Sequence, residues 1–444
     1  MLVLPPTATT GAHRRRWAAR DESDAALVAR LQQTAFGYLW QYCNSRNGLV
    51  ADTSRAGSPC SIAVVGFALS AYLVAIERGW ISRQAGAART LATLRFLLHC
   101  DQSGAPQATG YKGFYFHFLD MQTGRRAWNC ELSLIDSTLL LAGLVTSGLF
   151  FDRHDEAEIR DAASLLCERV DWRWAQGDSK SLSQGWLPEA GFLHYGWEGY
   201  NEALLLYVLG LGARTRPLPA AAFTTWTVTY QWERIFGQDV LYAGPLFTHL
   251  FPQAWLDLRG IRDDFMREKR SDYFQNTRRA IALQREYCEC NPLEAAAYAR
   301  DLWGISAGDG PTGAGLGPYA VDQYRFGYMA RGLPFGPDDG TLCPWAMLAS
   351  LPFDADAALT GTRRLLRDFP QVCPAERFVS GFNPSVDAAP AGWVSEGWYG
   401  LDQGLLVLSI ENARSGLIWS LTRDSPAVRR GLRRAGFSGG WLGS

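Results

Sequence analysis

The feature that most limits how this chain can fold is an alternation of two kinds of helical segment. Residues 61–76 (SIAVVGFALSAYLVAI) are apolar nearly all round, as are 132–149, 203–211, 346–351 and 405–410. Between them lie amphipathic runs at 155–170, 272–287, 354–368 and 426–435, with further helical spacing at 25–42 and a Ser82-capped run to residue 98. A helix apolar on every side must be buried, whereas one with a polar stripe lies at the surface. Inner and outer helices in repeated succession predict an all-α fold, an (α/α)6 barrel or toroid. Convincing strand alternation is scarce, and no exact repeat period argues for a solenoid.

No linker longer than a loop divides the chain. The reading is a disordered lead-in over 1–22 and one domain over 23–440. Residues 307–339, rich in Gly and Pro, read as a loop over the barrel mouth. The start, MLVLPPTATTGAHRRRW, places apolar residues before the basic ones and breaks them with Pro5 and Pro6, unlike an export signal. As written, the chain reads as cytoplasmic, or periplasmic if translation starts upstream. No apolar run is long enough to span a bilayer.

Composition enters as a filter. With 43 basic and 44 acidic residues the net charge is -1, which gives no reason to expect nucleic acid as a partner. The nine cysteines, lacking any C-x-x-C, read as buried free thiols, and the six scattered His imply no metal site. The 17 Trp exceed what an average core uses, and Trp also stacks on sugar rings.

The chemistry lies where the apolar helices begin. Glu131 and Asp136 flank the start of one. Trp197-Glu198-Gly199-Tyr200-Asn201-Glu202 leads into another, and Trp398-Tyr399-Gly400-Leu401-Asp402-Gln403 echoes it as GWxGxxxxLL. Asp338 and Asp339 precede a fourth. Parallel inner helices would gather these acids at one mouth. Glycoside cleavage needs such a set: one carboxylic acid protonates the leaving oxygen, and a second carboxylate activates water or attacks carbon. Acids at helix starts are also favoured by capping and the helix dipole. Asp136 is the least suited to that explanation, flanked as it is by 132–135 and 139–141, and a buried carboxylate needs a partner or a function. The coincidence of Trp197 and Trp398 with the acids marks both as candidate sugar platforms.

At these motifs the chain resembles the glucoamylase-like domain of bacterial endo-β-1,2-glucanases and the related cyclisation domain of cyclic β-1,2-glucan synthases. The resemblance is carried by LQQTAFGYLW (31–40), SIAVVGFALSAYLVAIERGWISR (61–83), GFYFHFLDMQTGRR (113–126), ELSLIDSTLLLAGL (131–144) and WEGYNEALLLYVLGLG (197–212). It continues through GPLFTHLFPQAWLDLRG (244–260), LWGISAGDGP (302–311), DGTLCPWAMLASLPF (339–353) and LDQGLLVLSIENARSGLIW (401–419), so it covers about residues 25–422.

The resemblance implies an (α/α)6 barrel, no cofactor, and hydrolysis of β-1,2-glucan with inversion, either endo-acting or releasing short units from a chain end. It implies Glu202 as general acid and Glu131, Asp136 or Asp402 as the second carboxylate. Sugar contacts would come from Asp52, Arg55, His117, Trp197, Tyr200, His249, Trp303, Asp309, Asp339, Trp398 and Gln403. Two other functions fit the same residues: a transglycosylase of the cyclising type, and a glycan-binding protein without catalysis. Oligomeric state is not legible.

Overall fold

Helices form where the apolar and amphipathic runs lie. The structure, a computed structural model, describes residues 22–177, 181–311, 327–386 and 392–443. The lead-in, except for Glu22, and the centre of the 307–339 loop lie outside the described residues.

In chain order the helices are α1 (Asp24–Gln41), α2 (Ile62–Glu77), α3 (Arg83–His99), α4 (Leu134–Phe150), α5 (Ala157–Arg169), α6 (Trp172–Gln176), α7 (Ala203–Gly212) and α8 (Ala221–Thr227). They continue with α9 (Phe247–Trp255), α10 (Asp264–Glu268), α11 (Tyr273–Cys290), α12 (Trp345–Ala349), α13 (Ala355–Asp368), α14 (Gly400–Arg414), α15 (Leu417–Asp424) and α16 (Pro426–Arg434). As expected, Ser82 caps α3, accepting from Ala85 N at 3.1 Å. Among the described residues, no helix is long and apolar enough to cross a membrane.

Burial separates two classes. All ten residues of α7 are buried, as are α12 and nearly all of α2 and α9. By contrast α11 buries Tyr273, Asn276, Thr277, Ala280, Ile281, Gln284 and Tyr287 at helical spacing and exposes the opposite stripe. The buried helices pack on one another: α2 against α4 and α14, α4 against α7, α7 against α9, and α12 against α14.

The α2–α4 crossing is the closest of these, and two glycines allow it. A Cβ on Gly66 would sit 2.1 Å from the Leu139 carbonyl oxygen, and one on Gly143 would sit 2.3 Å from the Gly66 oxygen. Ser70 of α2 ties the seam with polar contacts, 2.9 Å from Thr146 Oγ1 of α4 and accepting from Trp255 Nε1 of α9 at 2.9 Å.

Strands are present beside the helices, contrary to the sequence reading. Strands β1 (Cys60–Ser61) and β4 (Phe118–Leu119) pair. A five-stranded antiparallel sheet has the order β2 (Gly110–Tyr111), β3 (Phe114–Phe116), β5 (Leu132–Ser133), β6 (Gly185–Leu187) and β7 (Gly191–Phe192). These strands are two or three residues long, too short for the period-2 signal. The ends of the 307–339 loop also pair, Ala307 with Ala330. All nine cysteines are free, but only Cys60, Cys288, Cys343 and Cys373 are buried, and Cys290 is exposed.

Gly143→Ala must push α4 away from α2. It is expected to destabilise the protein by about 1–3 kcal/mol, as overpacking does, despite alanine's better helix propensity. A thermal melt equal to wild type would contradict the close crossing.

Candidate active site

The sheet builds the first half of the site. Tyr115 pairs with Ser133 across β3 and β5, and the ladder continues one step: His117 N donates to Glu131 O at 2.9 Å. Side chains alternate along strands, so His117, Glu131 and Ser133 share one face of the sheet. The His117 ring then lies between two carboxylates. Its Nδ1 is 2.8 Å from Glu131 Oε1, and its Nε2 is 3.6 Å from Asp136 Oδ2.

Asp136 is reached through the helix cap. Ser133 is the N-cap of α4, and its hydroxyl accepts from Asp136 N at 3.2 Å while donating to Asp136 Oδ2 at 2.5 Å. The expectation that Asp136 lies inside the helix is therefore corrected, although the cap is Ser133 and not Asp136. It stands in the first turn, the apolar residues before it being strand and N-terminal turn rather than helix interior. Burial alone would lower the His117 pKa, but attraction from Asp136 and Glu131 outweighs it and raises the group from 6.5 to about 9. Burial would likewise raise Glu131, yet the charge and hydrogen bond of His117 hold it below the ordinary carboxylate value.

The second half is brought in by the segment around Asp52 and the start of α14. Gly400 N donates to Asp52 O at 2.7 Å, and Thr53 bridges to Tyr399. Asp309 is fully buried and well supplied with donors. It pairs with Arg55, receives Tyr399 Oη at 2.7 Å and receives Ser395 Oγ at 2.5 Å. Asp402, in the first turn of α14, differs: its Oδ2 is buried with no hydrogen-bond partner. Burial above all, with the charges of Asp309 and Asp52, pushes its pKa well above the ordinary value against the pull of the nearby Ser380 hydroxyl. Asp52 is pushed up to about 7, by burial first and by Asp136 and Asp309, against the pull of His117 and Arg55.

Glu202 is the N-cap residue of α7, yet its side chain makes no capping bond. The neighbouring Asn201 takes that task, its Oδ1 accepting from Ala203 N at 3.0 Å. Capping therefore does not account for Glu202. Burial, with a contribution from the charge of Asp136, raises its pKa to about 7. Seven sequence-predicted residues — Asp52, His117, Glu131, Asp136, Glu202, Asp309 and Asp402 — thus lie near enough to feel one another's charge in a connected set. Arg55 joins them. Ser133, Ser395 and Tyr399 were missed; Tyr399 lies inside the second GWxGxxxxLL motif, and Ser133 stands three residues before Asp136 in the Ser-x-x-Asp pattern of a helix cap.

The other predicted sugar contacts have the following surroundings. Asp339 pairs with the buried Arg331 at 2.7 Å. Gln403 Nε2 donates to Phe378 O at 3.0 Å, and Trp398 Nε1 donates to Arg377 O at 3.2 Å. Trp303 is wholly enclosed, and Trp197 is buried. Tyr200 packs among Tyr230, His249 and Tyr273. His249 is buried near the Ala243 carbonyl, and burial pushes its pKa down to about 4. Trp303, His249 and Gln403 are all buried, and each keeps a buried polar atom, Nε1, Nδ1 and Oε1 respectively, with no hydrogen-bond partner among the described residues.

The folded-state pKa of His117 lies above its unfolded value. Its pairing thus stabilises the fold fully below pH 6.5, and that contribution fades as pH rises through about 9. His117→Gln should cost on the order of 3 kcal/mol near pH 6 and little near pH 10. Urea unfolding at both pH values checks this; an equal loss at both would contradict the ion pairing.

A protein-family model described as "Putative glucoamylase" matches residues 194–426. A curated relative, an exo β-1,2-glucooligosaccharide sophorohydrolase (non-reducing end) of Parabacteroides distasonis, is 26% identical over 93% of the chain. The chain spans 58% of that relative's length. Among solved structures, a "putative glucoamylase" from Bacteroides uniformis is 26% identical, with a TM-score of 0.83, over 95% of this chain and all of that one. The endo-β-1,2-glucanase of Chitinophaga pinensis, solved with sophorotriose and glucose, is 23% identical with a TM-score of 0.82, over 94% and 99% of the two chains. It shares the fold.

Proposed function

The chain belongs to the glucoamylase-like family whose model it matches, and from that premise we propose that it is a glycoside hydrolase cleaving β-1,2-glucan or its oligosaccharides. Its helices are read as an (α/α)6 barrel. In this reading α2, α4, α7, α9, α12 and α14 are the inner ring, and the amphipathic helices lie outside. The carboxylate set occupies the mouth where α4, α7 and α14 begin.

The observation that carries the reading is Glu202: a buried carboxyl, relieved of capping by Asn201, with its pKa raised to about 7. A general acid must hold its proton near the working pH and release it to the leaving oxygen. Glu202 meets that need. The second carboxylate, which draws a proton from water, must be ionised. Of Glu131, Asp136 and Asp402, Glu131 meets this directly, since His117 holds its pKa down. An acid and a base on opposite sides of the sugar, with water between, give cleavage with inversion of the anomeric centre. His117, Arg55 and Asp309 fix the carboxylates' positions rather than transfer protons. The relatives acting on β-1,2-linked glucans support the linkage.

Incubation of the pure protein with linear β-1,2-glucan should raise the concentration of reducing ends and release the inverted anomer. A transferase would leave reducing ends flat, and a binding protein would leave the polymer intact. Glu202→Gln should lower kcat by about 10²–10⁴-fold. The wild-type rate should fall as pH rises through about 7, as Glu202 loses its proton. Full turnover by Glu202→Gln would remove it as the acid.

A further inference from the structure

We propose that Trp128 is a sugar-stacking platform that extends the carboxylate pocket outward by one further glucosyl subsite. The inference rests on the glucan-hydrolase reading and names a binding position outside the residues considered so far. Trp128 is 40% exposed, among few large hydrophobic side chains open to solvent among the described residues. It is joined to the site by a run of rings: the His117 and Phe118 rings stack 4.0 Å apart at 13°, and Phe118 meets Trp128 at 4.9 Å. Only Phe118 separates the exposed indole from the imidazole held between Glu131 and Asp136.

The backbone presents this indole at a conformational cost. Trp128 and Asn129 both have left-handed backbone, with φ of 56° and 50°. Side-chain-bearing residues rarely adopt it, and such positions gather at functional sites. The turn is held by a buried guanidinium. Arg126 Nη2 donates to Asn129 O at 2.7 Å, Nε donates to Cys130 O at 2.5 Å, and Nη1 pairs with Glu189 at 2.7 Å. Fixing Asn129 and Cys130 also fixes the adjoining Glu131, so one clamp sets both the platform and the carboxylate.

An apolar ring face left in water beside a polar pocket suits a ligand with an apolar face and a hydroxyl rim, which is the chemistry of a pyranose. The position is at the rim, so it serves glucosyl units beyond those at the carboxylates. Longer chains gain from it, and the shortest substrate does not.

The test measures kcat and KM for Trp128→Ala and Trp128→Phe on β-1,2-gluco-oligosaccharides of increasing length, with Phe192→Ala as an exposed-aromatic control. The expected result is a KM rise of about tenfold for the longer chains with kcat kept. Trp128→Phe should recover most of the loss, with Phe192→Ala and the shortest cleaved substrate unaffected. Thermal melts check that the variants fold, the half-exposed side chain having its Phe118 ring contact to lose. Unchanged KM at every length, or a loss independent of length, would overturn the subsite. If the wild type cleaves none of the oligosaccharides, the hydrolase reading fails instead.

Discussion

A helix with no polar face can carry charge only at its ends, and this constraint shapes the molecule. α7 buries every residue, and α2 is apolar through to its last turn. The charged groups of such helices therefore fall in their first or last turns or in the segments beside them. Glu202 at the start of α7, Asp136 in α4 and Asp402 in α14 all obey that rule. Close packing then turns a chain-level rule into a spatial cluster, because α4 abuts both α2 and α7 while α14 abuts α2.

The cluster holds more acid than its cations can neutralise, and that imbalance sets the chemistry. His117 serves Glu131 and Asp136, and Arg55 serves Asp309. Asp52, Glu202 and Asp402 have no ion-pair partner at salt-bridge distance among the described residues, and burial raises the pKa of all three, for Asp52 against the pull of His117 and Arg55. Glu131 moves the other way. Carboxyls pushed apart in this manner can take opposite roles at one pH, one as proton donor and another as acceptor. The same imbalance makes His117 a structural cation as well as a neighbour of the chemistry.

Much of the helical plan was legible, because an uninterrupted apolar run has one explanation. The exceptions have local causes. α14 begins at Gly400, well before the predicted 405, because Gly400, Asp402, Gln403 and Gly404 interrupt the apolar pattern. α9 escaped notice since Pro252 sits inside it and reads as a breaker. The five-stranded sheet escaped because its strands are held by partners distant in sequence, such as Leu132 with Trp186. Glu131, Asp136, Glu202 and Asp402 could be found from their position at the start of apolar helices, whereas Asp52 and Asp309 came only with the family resemblance. Their individual states could not: Asn201 relieving Glu202 of its cap, or Arg55 reaching Asp309 254 residues away, depends on the folded geometry.

The central claim is that carboxylates far apart in the chain face one sugar-binding hollow. A crystal structure of Glu202→Gln with a linear β-1,2-gluco-oligosaccharide tests it most directly. The account predicts the residue 202 amide within hydrogen-bond distance of a glycosidic oxygen, about 2.6–3.2 Å, with Glu131 and Asp402 lining the same cleft. Sugar bound away from residue 202, or Glu131 and Asp402 opening to separate surfaces, would contradict it.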